Sequence, residues 1–155
     1  MTKFIVVHGA PCSGKSTYVR GKITSSDMVY DYDEITRALT YSSSHLSKRE
    51  LTHGYVLDIR LAIIRRAREE KSLDNIYLLS TFLTESFKKF ISDLNPEYVE
   101  MQATREECLE RLQNDDARPD KEDWAKKIND WYDEYEIEQD RNNKLKHLIG
   151  TFIKS

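Results

Sequence analysis

Apolar residues along this chain fall into short unbroken runs, separated by longer stretches in which they recur every three or four positions. That pattern predicts strands alternating with helices. Lys3 to His8, with Phe4, Ile5, Val6 and Val7 in its middle, predicts a strand covered on both faces, as at the centre of a parallel sheet. A helix is expected from Lys15 and should fail between Gly21 and Ser26, where glycine and serines cluster. Met28 to Asp33 predicts a second strand, Glu34 to Thr40 a short helix, and 41 to 45 a polar loop. Ser47-Lys48-Arg49-Glu50 fits a capping box and opens a long helix, with Leu51, Tyr55, Ile59, Ala62, Ile63 and Ala67 at helical spacing.

Asn75 to Ser80 predicts a third strand, and Thr84 the cap of a helix reaching about Leu94, where Asn95-Pro96 breaks it. Glu97 to Gln102 alternates as a fourth strand. Thr104-Arg105-Glu106-Glu107 is a second capping box, and its helix is expected to end near Arg118 because Pro119 disfavours helical geometry before it. Asp120 should cap a further helix whose stripe, Trp124, Ile128, Trp131 and Tyr135, is expected to pack on the sheet. Leu145 to Ile153 predicts a last strand, interrupted around Gly150. The order implies one α/β domain over 1–155, three layers deep, with a mostly parallel five-stranded sheet.

Composition narrows the setting more than the function. The 155 residues are 39% hydrophobic and 33% charged, which suits one domain with a substantial core. A formal net charge of −3 provides no global attraction for nucleic acid or an anionic membrane. Two cysteines, Cys12 and Cys108, do not make a disulfide framework, and no apolar run reaches membrane-spanning length. A cytoplasmic monomer without membrane contact is expected. His8, His45, His53 and His147 lack metal-ligand spacing.

The chemistry centres on the segment after the first strand, Gly9-Ala10-Pro11-Cys12-Ser13-Gly14-Lys15-Ser16-Thr17, which fits G-x-x-x-x-G-K-[ST]. A buried strand delivering such a loop to a helix start predicts a P-loop, in which backbone N–H groups cradle a polyphosphate. Lys15 would reach the β- and γ-phosphates, and Ser16 would ligate magnesium. Asp31 and Asp33, two residues apart on the expected second strand, can point the same way. One can orient magnesium through water while the other accepts a proton from an incoming hydroxyl. The third strand ends in Ser80-Thr81, without the acid that steadies magnesium in motor ATPases. Arg111 and Arg118 are spaced to fold over a nucleotide as a cationic lid, about 111–120, and to stabilise charge on a transferring phosphoryl group. The basic face of the long helix, with Arg60 and Arg65, reads as a solvated surface before it reads as a substrate strip.

These motifs resemble those of the small P-loop kinases that phosphorylate hydroxyls, particularly shikimate and gluconate kinases and the phage-type polynucleotide 5'-kinases. Residues 9 to 18 look like the polynucleotide-kinase loop, Asp31-Tyr32-Asp33 like the Asp-x-Asp of shikimate kinases, and Arg111-Leu112 through Arg118-Pro119 like the lid of the same family. The resemblance implies the P-loop nucleoside triphosphate hydrolase fold, with ATP or another nucleoside triphosphate and Mg2+ as cofactors. It also implies magnesium at Ser16 and Asp31, Asp33 as base, and Lys15, Arg111 and Arg118 as phosphate-facing cations. Two departures stand out. Ser80 to Thr84 replaces the glycine-rich stretch that reads shikimate, and Arg37 follows Asp33 one residue later than the matching arginine of polynucleotide kinases. Arg37 and Arg60 are the candidate acceptor contacts, within an acceptor region of about 40–71. The acceptor expected is a hydroxyl-bearing nucleotide, nucleic-acid end or polar metabolite. A P-loop ATPase or nucleotide-dependent switch that binds a protein partner is the alternative; a degenerate nucleotide binder would not need the intact Lys15, Ser16 and paired aspartates.

Overall fold

The computed structural model describes residues 1 to 42 and 49 to 154. Four strands form one sheet in the order β2-β3-β1-β4: β1 (Lys3–His8), β2 (Asp27–Tyr30), β3 (Asn75–Ser80) and β4 (Glu97–Glu100). Every pairing is parallel, with Val6 beside Leu78 and Tyr98, and Tyr30 beside Leu78. Parallel neighbours require crossovers, which the helices α1 (Lys15–Arg20), α2 (Tyr32–Thr40), α3 (Arg49–Ala67) and α4 (Glu85–Phe90) supply. Two more helices follow β4, α5 (Arg105–Gln113) and α6 (Lys121–Lys154).

The period-2 alternation of the strands divides the core into two faces. Phe4, Val6, Ile76 and Leu78 point to one side with Tyr30, where Val56 and Ile64 of α3 cover them together with Ile91. The Tyr30 hydroxyl also donates to the Val56 carbonyl at 3.1 Å, giving the buried phenol a partner. Ile5, Val7, Tyr77 and Leu79 point to the other side, against Val19 of α1. A third cluster joins α5 to α6 through Cys108, Leu112, Trp124, Ile128 and Trp131, and reaches Ala10.

β1 and β3 have the predicted bounds, and α1 starts at Lys15 as expected. Several expectations need correction. Among the described residues the sheet has four strands rather than five, because 145–153 continues α6 as helix. β2 ends at Tyr30, and Asp31 is instead the N-cap of α2, its side chain accepting from the Asp33 amide. Asp33 therefore lies in a helical first turn, not beside Asp31 on a strand. α5 stops at Gln113, with Asn114 as C-cap, several residues short of Arg118. The helix capped by Thr84 gives way after Phe90 to a 3-10 turn, Ser92–Leu94. On α3, Ile59, Ile63 and Ala67 pack on the core as expected, beside the fully buried Val56 and Ile64, but Leu51 and Tyr55 are 76% and 70% exposed. The Ser47-to-Glu50 capping box falls partly outside the described residues, as does most of the 41–45 loop. The Trp124 stripe is buried, but against α5 and the base of the glycine loop rather than on the sheet. Among the described residues no helix is long and apolar enough to cross a membrane.

Candidate functional site

A cleft of about 650 Å³ opens at the C-terminal end of the strands, where open α/β sheets place their ligands. Its floor is the loop between β1 and α1. Three residues of that loop have positive φ: Gly9 (153°), Cys12 (62°) and Gly14 (95°). A Cβ on Gly9 would stand 2.9 Å from the Met101 Cβ and 3.0 Å from the Ser13 Oγ, so the bend is packed too closely for a side chain. Gly14 is the N-cap of α1, and a Cβ there would press on the Arg111 guanidinium at 3.4 Å.

Lys15 folds back over the loop, donating to the Gly9 and Ala10 carbonyls at 2.7 and 2.8 Å. Burial pulls its ammonium down to about 8, with the neighbouring Asp33 acting in the opposite direction. Ser13 Oγ is buried with no hydrogen-bond partner among the described residues. Burial raises the Cys12 thiol above its ordinary value, which keeps it from acting as a thiolate nucleophile at neutral pH.

Beside the loop, the Ser16 hydroxyl donates to Asp31 Oδ2 at 2.7 Å while Asp31 Oδ1 accepts from the Asp33 amide at 3.1 Å. One carboxylate thus ties the start of α1 to the start of α2. Asp33, one turn into the cleft, pairs with Arg118 at 3.5 Å. Arg118 is in turn paired with Asp115 and lies 4.8 Å over the Trp124 ring. Arg111 donates to the Cys12 carbonyl at 3.3 Å, so both expected lid arginines already reach the loop side of the cleft.

The opposite wall comes from α2 and α3. Arg37 pairs with Glu34 at 3.4 Å, and Arg60 stacks on Phe87 at 4.9 Å. The Nε atoms of Arg37, Arg60 and Arg118 are buried without hydrogen-bond partners among the described residues. Six cationic side chains line the cleft against four carboxylates, in a chain of net negative charge. The site is therefore a locally positive concavity suited to anions.

Of the residues singled out in the sequence, Pro11 to Thr17, Asp31, Asp33, Arg37, Arg60, Arg111 and Arg118 all line this one cleft. Gly9 and Ala10 do not; they lie beneath it and contribute the carbonyls that hold Lys15. Asp115 and Trp124, which fix Arg118, were not anticipated. Asp115 carried a signal, standing three residues before Arg118, whereas Trp124 read only as core. Among the described residues no three His, Cys, Asp or Glu side chains gather as a metal cage. Ser16 and Asp31 are a hard oxygen pair of the kind that holds Mg2+ when phosphate and water complete its shell. No family model matches this chain, and no curated protein matches it.

Proposed function

We propose that the protein is an ATP-dependent phosphotransferase with the P-loop kinase fold, which moves the γ-phosphate to a hydroxyl of a nucleotide, a nucleic-acid 5' end or a similar polar metabolite. The observation that carries this reading is one cleft with a glycine loop and half-buried lysine as floor, Asp31 and Asp33 beside it, and arginines on two facing walls. The unpartnered Ser13 hydroxyl, the bend at Gly9 that admits no Cβ, and the Ser16–Asp31 oxygen pair all fit a polyphosphate and its Mg2+.

On this reading the loop amides and Lys15 hold the phosphates, and Ser16 with Asp31 holds the metal, which supplies charge neutralisation at the phosphoryl oxygens when bound. Asp33 accepts the proton of the acceptor hydroxyl. Arg111 and Arg118 offset the charge that develops on the moving phosphoryl group. Arg37 and Arg60, which line the cleft from α2 and α3, favour an acceptor that carries an anionic group near its hydroxyl.

The experiment is transfer of radiolabelled γ-phosphate from ATP with Mg2+ to pools of nucleosides, nucleotides, 5'-hydroxyl oligonucleotides and sugar-like acids, with Lys15→Ala as blank. A labelled acceptor absent from the blank supports the kinase reading and names the acceptor class. Slow release of free phosphate with every pool, lost in the blank, would replace it with the ATPase or switch reading.

A further inference from the structure

From Glu136 to Ile149 every residue of α6 is exposed. Glu136 still pairs with Arg105 of α5 at 3.2 Å, and beyond it no hydrogen bond or ion pair ties the helix to α5 or the sheet among the described residues. Residues 136–151 extend about 24 Å at the α-helical rise of about 1.5 Å per residue. Most of a helix's stability in a protein comes from packing an apolar face. The large apolar side chains of this stretch, Ile137, Leu145, Leu148 and Ile149, are nevertheless 54%, 57%, 56% and 51% exposed. Charge along the same stretch is divided in two. Asp133, Glu134, Glu136, Glu138 and Asp140 occur with no base between 133 and 140, whereas Arg141, Lys144 and Lys146 occur with no acid between 141 and 151.

A helix so divided is complementary to itself when reversed. We propose that this half of α6 is the interface of a two-fold homodimer, pairing antiparallel with the same stretch of a second copy. A crossing near Asn142 sets Asp140 opposite Lys144 of the second copy, both on the flank of the Ile137 and Leu148 side, and symmetry repeats the pair; Glu138 and Lys146 add opposite charge at longer range. The same register brings Leu145 and Leu148 of one copy to either side of Ile137 of the other. Parallel pairing lays acid on acid and base on base. Asp133 and Glu136 already pair with Arg105 of α5, which leaves Glu134, Glu138 and Asp140 against Arg141, Lys144 and Lys146. That balanced but divided set offers an anionic lipid or nucleic-acid surface no net attraction and matches its own reverse, so charge favours a second copy over either. The inference does not rest on the phosphotransferase reading, since the interface lies outside the cleft.

Sedimentation velocity on the full chain, from low micromolar to the highest soluble concentration, tests it. A reversible monomer–dimer equilibrium that weakens with added salt is expected. The reversals K144E/K146E and E138K/D140K should each weaken the dimer by about tenfold or more, and an equal mixture of the two should recover most of that loss. All four positions are exposed, so circular dichroism should report unchanged folding. Leu148→Glu should also dissociate the dimer. A monomer at every concentration overturns the proposal, as does a dimer indifferent to both reversals. A monomer that binds phosphatidylserine vesicles likewise overturns it and assigns the surface to lipid.

Discussion

The Arg118 guanidinium lies 3.5 Å from the Asp33 carboxylate, tying the segment between α5 and α6 to the first turn of α2 across the mouth of the cleft. Asp115 and the Trp124 ring hold the same arginine from its other sides. The arginine is thus held by two near neighbours in the chain and by one distant carboxylate, and does not depend on Asp33 alone.

That independence makes Asp33→Asn an informative substitution. Arg118 keeps Asp115 and Trp124, so the cleft should retain its shape while losing the carboxylate that the phosphotransferase proposal makes its proton acceptor. Turnover in γ-phosphate transfer should fall by about 10²- to 10⁴-fold, with nucleotide affinity, read by calorimetry, changed only a few-fold. Arg118→Gln should instead lower turnover by about 10²- to 10³-fold through lost charge stabilisation. Full activity in Asp33→Asn would remove the mechanism.

Asp31 carries two roles that substitution can separate. Its Oδ1 caps α2 and its Oδ2 accepts from Ser16. Asp31→Ala should cost about 1 kcal/mol of stability through the lost cap, read as a lower thermal midpoint. Asp31→Asn keeps a capping oxygen but not the charge, so stability should stay near that of the parent while the Mg2+ concentration for half-maximal transfer rises. If both variants have the same Mg2+ requirement as the parent, the carboxylate is structural only.

The glycine loop and its two flanks were legible because each rests on local rules. β1 and β3 are unbroken apolar runs, and Thr84, Thr104 and Asp120 cap helices through their own following amides. The errors arose where local patterns are ambiguous. Met28 to Asp33 alternates like a strand, yet Asp31, followed three residues later by Glu34, also has the form of a helix start. α3 carries apolar residues on more than one side, so spacing did not decide that Val56, rather than Tyr55, meets Tyr30. Leu145 to Ile153 has strand-like composition, but it continues a helix begun at Lys121 that tolerates Gly150 at a cost of about 1 kcal/mol. In the site, Lys15, Ser16 and the aspartates belong to motifs, whereas the Arg118–Asp33 pair depends on how the segment between α5 and α6 folds back onto α2, which no motif encodes.

Gly9 offers a stability test of the loop that needs no ligand. Its φ of 153° and the 2.9 Å approach to the Met101 Cβ mean that Gly9→Ala meets both strain and a side chain anchored at the end of β4. A loss of about 1–3 kcal/mol in denaturant unfolding is expected. Gly54→Ala, on α3 with open space around its Cα, should instead stabilise by about 0.5–1 kcal/mol through helix propensity. A Gly9→Ala protein as stable as the parent would contradict the tight packing at this bend.

Lys15 should give the cleft a measurable proton linkage. Burial lowers its pKa from 10.5 to about 8, more than Asp33 and Asp31 restore. In the unfolded chain the lysine keeps its proton up to about 10.5, so between about pH 8 and 10.5 the unfolded state binds more protons and this group makes stability rise with pH. Below about pH 8 the lysine is protonated in both states and the burial cost is present in full, so Lys15→Met should flatten the slope above that point. A polyphosphate brought against the ammonium favours its charged form and raises its pKa. Nucleotide binding at about pH 9 should therefore take up close to one proton, falling towards zero near pH 7, where the lysine already holds its proton. Calorimetry in buffers of different ionisation enthalpy reads that uptake directly. Lys15→Met should abolish it even where some nucleotide affinity survives; uptake unchanged in that variant would mean that the proton goes elsewhere and that Lys15 does not face the phosphates.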